Sequence, residues 1–426
     1  MSATWRGTQA LDSARVTAAE AIAHVPEGAT VFLEQGACEP LRLHAALLDC
    51  VRSSRRRIRL IAAPVANQNA CDFGAEDVAP YLGCTVFVGT PELADALRSG
   101  SVSYAPMHWS EVIGAVRDVY RPDVALLKVA PPDADGFCSV SGNGAFELEI
   151  AQLANTVIAE VDANAPWVDG DTRLHQSRIH YWVDVDDGLR PMRDSSWGDV
   201  EQSIARHVVE LLPRSLTLQI GPGRVPNAVL AHLAQESVDV RIHSGILTDG
   251  MMRLVELRGG DGPIVAGMLL GTQRLYEAVH RHPRVQLRRT DFTHSIDVLS
   301  RIDRFIAINS AIEVDLLGQV NAESVGGRQV SGVGGQMDFF RGARASDGGM
   351  AVVAMPSSTR TRSRIVAQLA SGTPVSTPRV DIDYIVTEHG AAALRRRTEG
   401  ERAEALISIA APEHREALRA AWRTRA

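Results

Sequence analysis

Leu216-Thr217-Leu218-Gln219-Ile220-Gly221-Pro222-Gly223-Arg224-Val225-Pro226 is the stretch on which the reading of the fold turns. An aliphatic run enters a glycine turn, and a proline then leads into the apolar Asn227-Ala228-Val229-Leu230. Proline suits the first turn of a helix, because its missing N–H would be unpaired there anyway. The stretch therefore reads strand, glycine turn, helix. The same order stands earlier in Glu27-Gly28-Ala29-Thr30-Val31-Phe32-Leu33-Glu34-Gln35-Gly36-Ala37-Cys38-Glu39-Pro40, which leads into Leu41-Arg42-Leu43-His44. Two copies of one opening unit imply two similar α/β domains in tandem. A length of 426 residues agrees, since it exceeds the usual single core. The break is expected within 187–200, a stretch rich in Asp, Gly, Ser and Pro, giving domains 1–195 and 196–426.

Outward from these two units, short apolar runs alternate with longer amphipathic segments. Strands are expected at 30–34, 58–62, 85–88, 124–129, 157–161, 216–220, 265–269, 304–308, 350–355 and 384–387. Most carry aliphatic residues on consecutive positions, as strands covered on both faces do. Segments 203–212 and 227–235 repeat apolar residues at helical spacing. The alternation predicts α/β layers with a largely parallel sheet.

Composition narrows the partners. Hydrophobic residues make up 45% and charged residues 22%, and the net charge of −7 is spread along the chain. A nucleic-acid partner would need a basic stripe to neutralise phosphates, so none is expected. The short clusters 55–59 and 395–397 read as solvated surface. The five cysteines show no C-x-x-C spacing and are odd in number. They fit free thiols in a reducing compartment, with no disulfide framework and no metal site. No run approaches about 18 uninterrupted apolar residues, and Met1-Ser2-Ala3-Thr4-Trp5-Arg6 lacks a signal-peptide pattern. The expectation is a cytoplasmic protein without a membrane partner.

Two loops have the composition for chemistry. Gly221, Pro222 and Gly223 stand between a strand and a helix, where backbone N–H groups can approach an anion or a developing oxyanion. A dinucleotide site is disfavoured, because Pro226 replaces the third glycine of G-x-G-x-x-G. The second loop is Val325-Gly326-Gly327-Arg328-Gln329-Val330-Ser331-Gly332-Val333-Gly334-Gly335-Gln336-Met337-Asp338-Phe339-Phe340-Arg341-Gly342-Ala343. Its glycines make a poor element interior and a good close-approach loop. A flexible surface hairpin is the alternative.

Several stretches resemble motifs of one family. Ala130-Pro131-Pro132-Asp133-Ala134-Asp135-Gly136-Phe137-Cys138-Ser139 is similar to P-P-D-x-x-G-[YF]-x-S, and Val161-Asp162-Ala163-Asn164-Ala165-Pro166 to V-N-x-N-x-P. Residues 218–228 resemble L-Q-x-G-x-G-x-x-P-x-A, and 309–321 resemble N-x-A-x-E-V-D-L-x-G-Q-x-N. Residues 334–343 resemble G-G-Q-x-D-F-x-R-G-A, and 386–395 resemble V-T-E-Y-G-x-A-x-L-[RK]. These belong to the acetyl-CoA hydrolase/transferase family, the 4-hydroxybutyrate CoA-transferase-like branch of the class I CoA-transferases. The resemblance implies two CoA-transferase-type α/β domains with mostly parallel sheets and the active site in the cleft between them. It also implies CoA thioesters as substrates, no covalently bound cofactor, and a homodimer or higher homo-oligomer. Family enzymes attack the thioester with a Glu carboxylate, passing through an acyl-glutamyl anhydride and an enzyme–CoA thioester. By the same resemblance, Gly221, Pro222, Gly223, Gly332, Gly334, Gly335 and Gln336 would hold the thioester oxygen or the CoA arm.

One departure bears directly on the chemistry. In the family the nucleophile stands in H-[ST]-E-M-x-[ST]-D-G; here the stretch is His243-Ser244-Gly245-Ile246-Leu247-Thr248-Asp249-Gly250, so Gly245 occupies the nucleophile's place. Asp249 matches the family's own Asp and reads as structural, while Glu313, Asp315 and Glu388 read as supports of the cleft. Candidates for a substitute group are Glu34 in the first strand–turn unit, with Glu39 nearby, and His243 and His389. His389 replaces a Tyr, and a histidine titrates near physiological pH. Three functions stay open. They are a CoA-thioester hydrolase or carbon–carbon-cleaving relative, a CoA-transferase with a displaced nucleophile, and a non-catalytic CoA-binding relative.

Overall fold

A computed structural model of the chain describes residues 14–69, 71–192 and 195–425. Residues 1–6, read above for a leader, and 193–194, inside the expected domain break, lie outside the described residues.

Two large sheets organise the fold. The first runs Ala14–Arg15, Tyr181–Val185, Thr156–Asp162, Val124–Val129, Thr30–Leu33, Ile58–Ala62, Leu82–Val86, Val102–Tyr104, and every neighbouring pair is parallel. The second runs Gly390–Ala393, Tyr384–Thr387, Met350–Ala354, Phe305–Asn309, Ser215–Ile220, Asp239–His243, Ile264–Ala266, Val285–Leu287, Asp169–Gly170. Its outermost pair, Tyr384–Thr387 with Gly390–Ala393, is antiparallel; the others are parallel. Each sheet buries both faces, because successive side chains point opposite ways. Val31 and Leu33 enter one core and Phe32 the other. Ile306 and Ile308 likewise pack away from Phe305 and Ala307.

The expected strands 58–62, 124–129 and 384–387 coincide with the observed ones, and most others shift by a residue or so. The expected 265–269 strand is broken. Ile264–Ala266 stays in the second sheet, and Met268–Leu269 pairs instead with Ile246–Leu247. The cause is local: Gly267 N–H and Met268 N–H both donate to the Gly245 carbonyl, at 3.1 Å each. A further exception is the two-residue Asp169–Gly170 strand. It comes from the chain that builds the first sheet, yet it pairs with Val285–Leu287 at the edge of the second.

Both opening units take the expected form. Thr30–Leu33 leads through a turn to the helix Leu41–Ser54, with Pro40 just before it. Ser215–Ile220 leads through Gly223 to the helix Arg224–Leu233, with Pro226 in its first turn. Gly223 has φ 125°, a conformation that a side chain would strain. No helix among the described residues is long and apolar enough to cross a membrane.

Candidate active site

The carboxyl ends of the two parallel sheets face a common cavity of about 510 Å³. Parallel α/β sheets offer ligand sites there, because the loops leaving the strand ends diverge around a crevice. From the first sheet come Phe32, Gln35, the 63–67 loop, Val88, Gly89 and the segment around Asn143–Glu147. From the second come Gln219, the Gly221–Gly223 turn, Gly245, Ile246, Met268, His294 and Asn309. The glycine-rich 325–343 segment closes one wall with Val330, Ser331, Gly334, Gly335, Gln336 and Phe339. It is stapled to the first sheet rather than hanging free. Val333 N–H donates to Tyr104 Oη at 3.1 Å, Trp109 N–H to the Gly334 carbonyl at 3.1 Å, and Ser110 Oγ to Asp338 at 2.7 Å. Among the described residues, no lysine or arginine lines the cavity.

Around Gly245 the space is already taken. A Cβ on Gly245 would lie 3.1 Å from His294 Nε2 and 3.3 Å from Phe339 Cε2. One on Gly335 would lie 2.4 Å from the same Nε2, so two glycines and an imidazole share one spot. His294 follows the short helix Thr290–Thr293 and stacks against Phe339 with ring centroids 4.4 Å apart. Its tautomer follows from its partners. Thr293 Oγ1 donates to the Arg289 carbonyl at 3.1 Å, so it receives the Nδ1–H of His294 at 2.8 Å. The lone pair is then left on Nε2, at the cavity. Burial and the neighbouring His243 push the His294 pKa down to about 3, so the ring is neutral at physiological pH.

The Asn143–Glu147 segment crosses from the first sheet to this spot. Gly144 N–H donates to the Gly267 carbonyl at 2.8 Å, and Gly267 is itself bonded to Gly245. Thr290 N–H donates to the Ala145 carbonyl at 2.9 Å, which ties the segment to the turn that carries His294. Glu147 starts the helix Glu147–Leu153 and is 3% exposed. It accepts the Phe146 N–H at 2.9 Å. It is the one acidic side chain on the wall of this cavity among the described residues. Burial pushes its pKa up to about 7, against the pull of the backbone N–H groups. Phe146 packs edge-on against Trp109 and Phe32, giving this end of the cavity an aromatic floor.

The structure sorts the residues singled out from sequence. Gly221, Pro222, Gly223, Gly245, Gly334, Gly335 and Gln336 line the cavity; Gly332 does not, and sits against Phe87 and Val88 instead. Glu34 is fully buried outside the cavity wall, accepting Lys128 N–H at 2.7 Å and Asn143 Nδ2 at 3.0 Å. Glu39 is enclosed by His44, Asn69 and Arg190. His243 stands behind the cavity, its Nε2–H donated to the Thr293 carbonyl at 3.0 Å; burial pushes its pKa down to about 4. It thus props the residue that orients His294. His389 is a part-exposed neighbour of Glu388, away from the cavity. Asp249 accepts Thr272 N–H at 2.8 Å and Thr272 Oγ1–H at 2.6 Å, a structural clamp. Of the two ionisable groups that line the cavity among the described residues, His294 and Glu147, neither lies in a motif with a sequence signature.

Known proteins match over the length of the chain. The acetyl-CoA hydrolase/transferase N-terminal domain matches residues 9–191, and the C-terminal domain of the same name matches 271–422. The 4-hydroxybutyrate coenzyme A transferase of Clostridium kluyveri is 36% identical over 415 residues, covering 95% of this chain and 96% of that protein. The succinyl-CoA:cyclohexane-1-carboxylate CoA transferase of Geobacter metallireducens is 35% identical, covering 91% of each. The crystal structure of RipA from Yersinia pestis superposes with a TM-score of 0.90 at 28% identity, covering 96% of this chain and 97% of RipA. With two parallel sheets meeting at one cleft and both domain types matched in order, the chain belongs to the acetyl-CoA hydrolase/transferase family and is an enzyme of that family.

Proposed function

We propose that this enzyme opens CoA thioesters by hydrolysis or a related cleavage, with no glutamyl–CoA intermediate at position 245. The observation that carries this reading is the imidazole beside Gly245: Nε2 lies 3.1 Å from where a Cβ would begin. Covalent catalysis at this point needs a carboxylate that reaches the thioester carbon. Gly245 has none, and a neutral Nε2 is a hydrogen-bond acceptor suited to hold a water O–H beside the same carbon. The turn at Gly221, Pro222 and Gly223 opens a ten-residue helix, and its backbone N–H groups hold the thioester oxygen as it becomes an oxyanion. Gly334, Gly335 and Gln336 supply the facing wall for the CoA arm. The same reading takes 1–195 and 196–426 as the two domains around the cleft, in a homodimer or larger homo-oligomer in the cytoplasm.

A second reading, CoA transfer to a carboxylate acceptor, is favoured by one observation: Glu147 offers a carboxyl group in the same cavity. Product analysis separates the two. A panel of acyl-CoAs is incubated with the enzyme, with and without acetate, and the thioesters are read by mass spectrometry. Free CoA at the same rate in both mixtures is the expected result. Acetyl-CoA formed only with acetate would replace hydrolysis by transfer. Should neither product form, calorimetry with CoA distinguishes a binding protein from one that has lost the ligand.

A further inference from the structure

We infer that Glu147 is the general base of this site, taking the proton of the water that attacks the thioester while His294 Nε2 orients that water. The inference rests on the hydrolytic reading above and adds the group that drives it.

Three structural observations converge on Glu147. Among the described residues it is the one acidic side chain on the cavity wall, and none of them brings a lysine or arginine to that wall to neutralise it. Its carboxyl group is buried to 3% exposure with no cationic partner among the described residues, an arrangement that is costly for a fold to keep and that concentrates where chemistry needs it. Its segment is bound to the Gly245 spot twice over, through Gly144 to Gly267 and through Ala145 to Thr290. Glu147 and His294 thus line one cavity from different sheets.

The division of labour follows from their environments. His294 is held neutral far below its ordinary range and makes a weak proton acceptor. Glu147, pushed up to about 7, is poised near working pH, where a base combines availability with driving force. The other titratable groups of this region are Glu34 and Cys38, both pushed toward their neutral forms by burial. Lys128 pulls on both of them, but its ammonium is paired with Asp162 at 2.9 Å and Glu160 at 3.3 Å.

The step balances with water as the co-reactant. Water oxygen bonds to the thioester carbon, and its proton passes to the Glu147 carboxylate. The tetrahedral oxyanion then re-forms its carbonyl, the C–S bond breaks, and the electron pair leaves on sulfur. Glu147 returns the proton to the CoA thiolate, giving a free acid and CoA.

The test uses Glu147→Gln and Glu147→Asp, assayed from pH 5 to 9 with the acyl-CoA that the wild type hydrolyses fastest. Glu147→Gln should lower kcat about 100-fold or more while KM changes only a few-fold. The wild-type rate should fall on the acid side of about 7, and that limb should vanish in the Gln variant and survive in the Asp variant. A Gln variant with wild-type kcat would overturn the inference and leave the hydrolytic reading standing. A CoA adduct mapped to the peptide holding Glu147 would overturn both, making the residue a nucleophile. If the wild type hydrolyses none of the acyl-CoAs, ¹³C-carboxyl NMR titration of Glu147 still decides. A midpoint near 7 that moves on adding butanoyl-CoA supports the group as poised, and a midpoint in the ordinary carboxylate range refutes it.

Discussion

What surrounds Gly245 limits any side chain placed there, through His294 and Phe339. Its backbone is not in the left-handed region, so a side chain there is limited by space rather than by conformation. Gly245→Glu alone should force His294 against Phe339 and give little transferase activity. Gly245→Glu combined with His294→Ala should open the space and yield acetate-dependent acetyl-CoA, read by mass spectrometry; equal transfer by the two variants would mean that His294 does not restrict the site. Glu147 leads to a second prediction, in stability. Its folded pKa of about 7 lies above the ordinary carboxylate value, so the folded state holds the proton more tightly than the unfolded one. Stability is then lost as pH rises through the window between 4.5 and about 7, by about 3 kcal/mol in total. Glu147→Gln should match the wild type near pH 4 and exceed it at pH 8 in urea denaturation, and a wild-type advantage at pH 8 would contradict the assignment. Neither partner was legible in the sequence. The departure at Gly245 from the family motif could be read in the sequence, whereas His294 and Glu147 come to the same cavity only through contacts between distant segments. Glu34, His243 and His389 had the right chemistry and the wrong surroundings: two are enclosed by their own partners, and one sits outside the cavity.

At the scale of elements, the central strands were readable because burial on both faces demands consecutive aliphatic residues, as in Val124–Val129. The Gly-turn-helix units were readable because glycine and proline mark turns for steric reasons. The Asp169–Gly170 strand was not. Two polar or small residues carry no periodicity, and their pairing depends on a distant edge. Gly267 was equally silent: an apolar run hid the point where the chain leaves one sheet to bond Gly245. The edge strand supplies the prediction at this scale. Gly170 has φ 124°, and a Cβ there would lie 2.1 Å from the Leu287 carbonyl oxygen. Gly170→Ala should therefore cost about 1–3 kcal/mol of stability. A urea midpoint unchanged from wild type would show that the edge pairing adapts freely.

For the whole molecule, the two sheets are not merely neighbours. The Asp169–Gly170 strand ties the first half into the second sheet, and the 323–338 region of the second half bonds back to Tyr104, Trp109 and Ser110. The cavity lies between these ties, so its geometry depends on both halves. Expressed separately, 1–195 and 196–426 should each lose cooperative unfolding by circular dichroism and recover it on mixing; two sharp independent transitions would show that the ties are dispensable. Tandem α/β architecture was legible from two similar units, but the ties between them required the folded chain.

On the hydrolytic route no CoA becomes attached to the enzyme. Intact-protein mass spectrometry during steady turnover of an acyl-CoA tests it most directly. Hydrolysis should leave the unmodified protein mass throughout, while free CoA accumulates. A population heavier by the mass of enzyme-bound CoA, discharged on adding acetate, would contradict it and restore the family's covalent route with a displaced carboxylate.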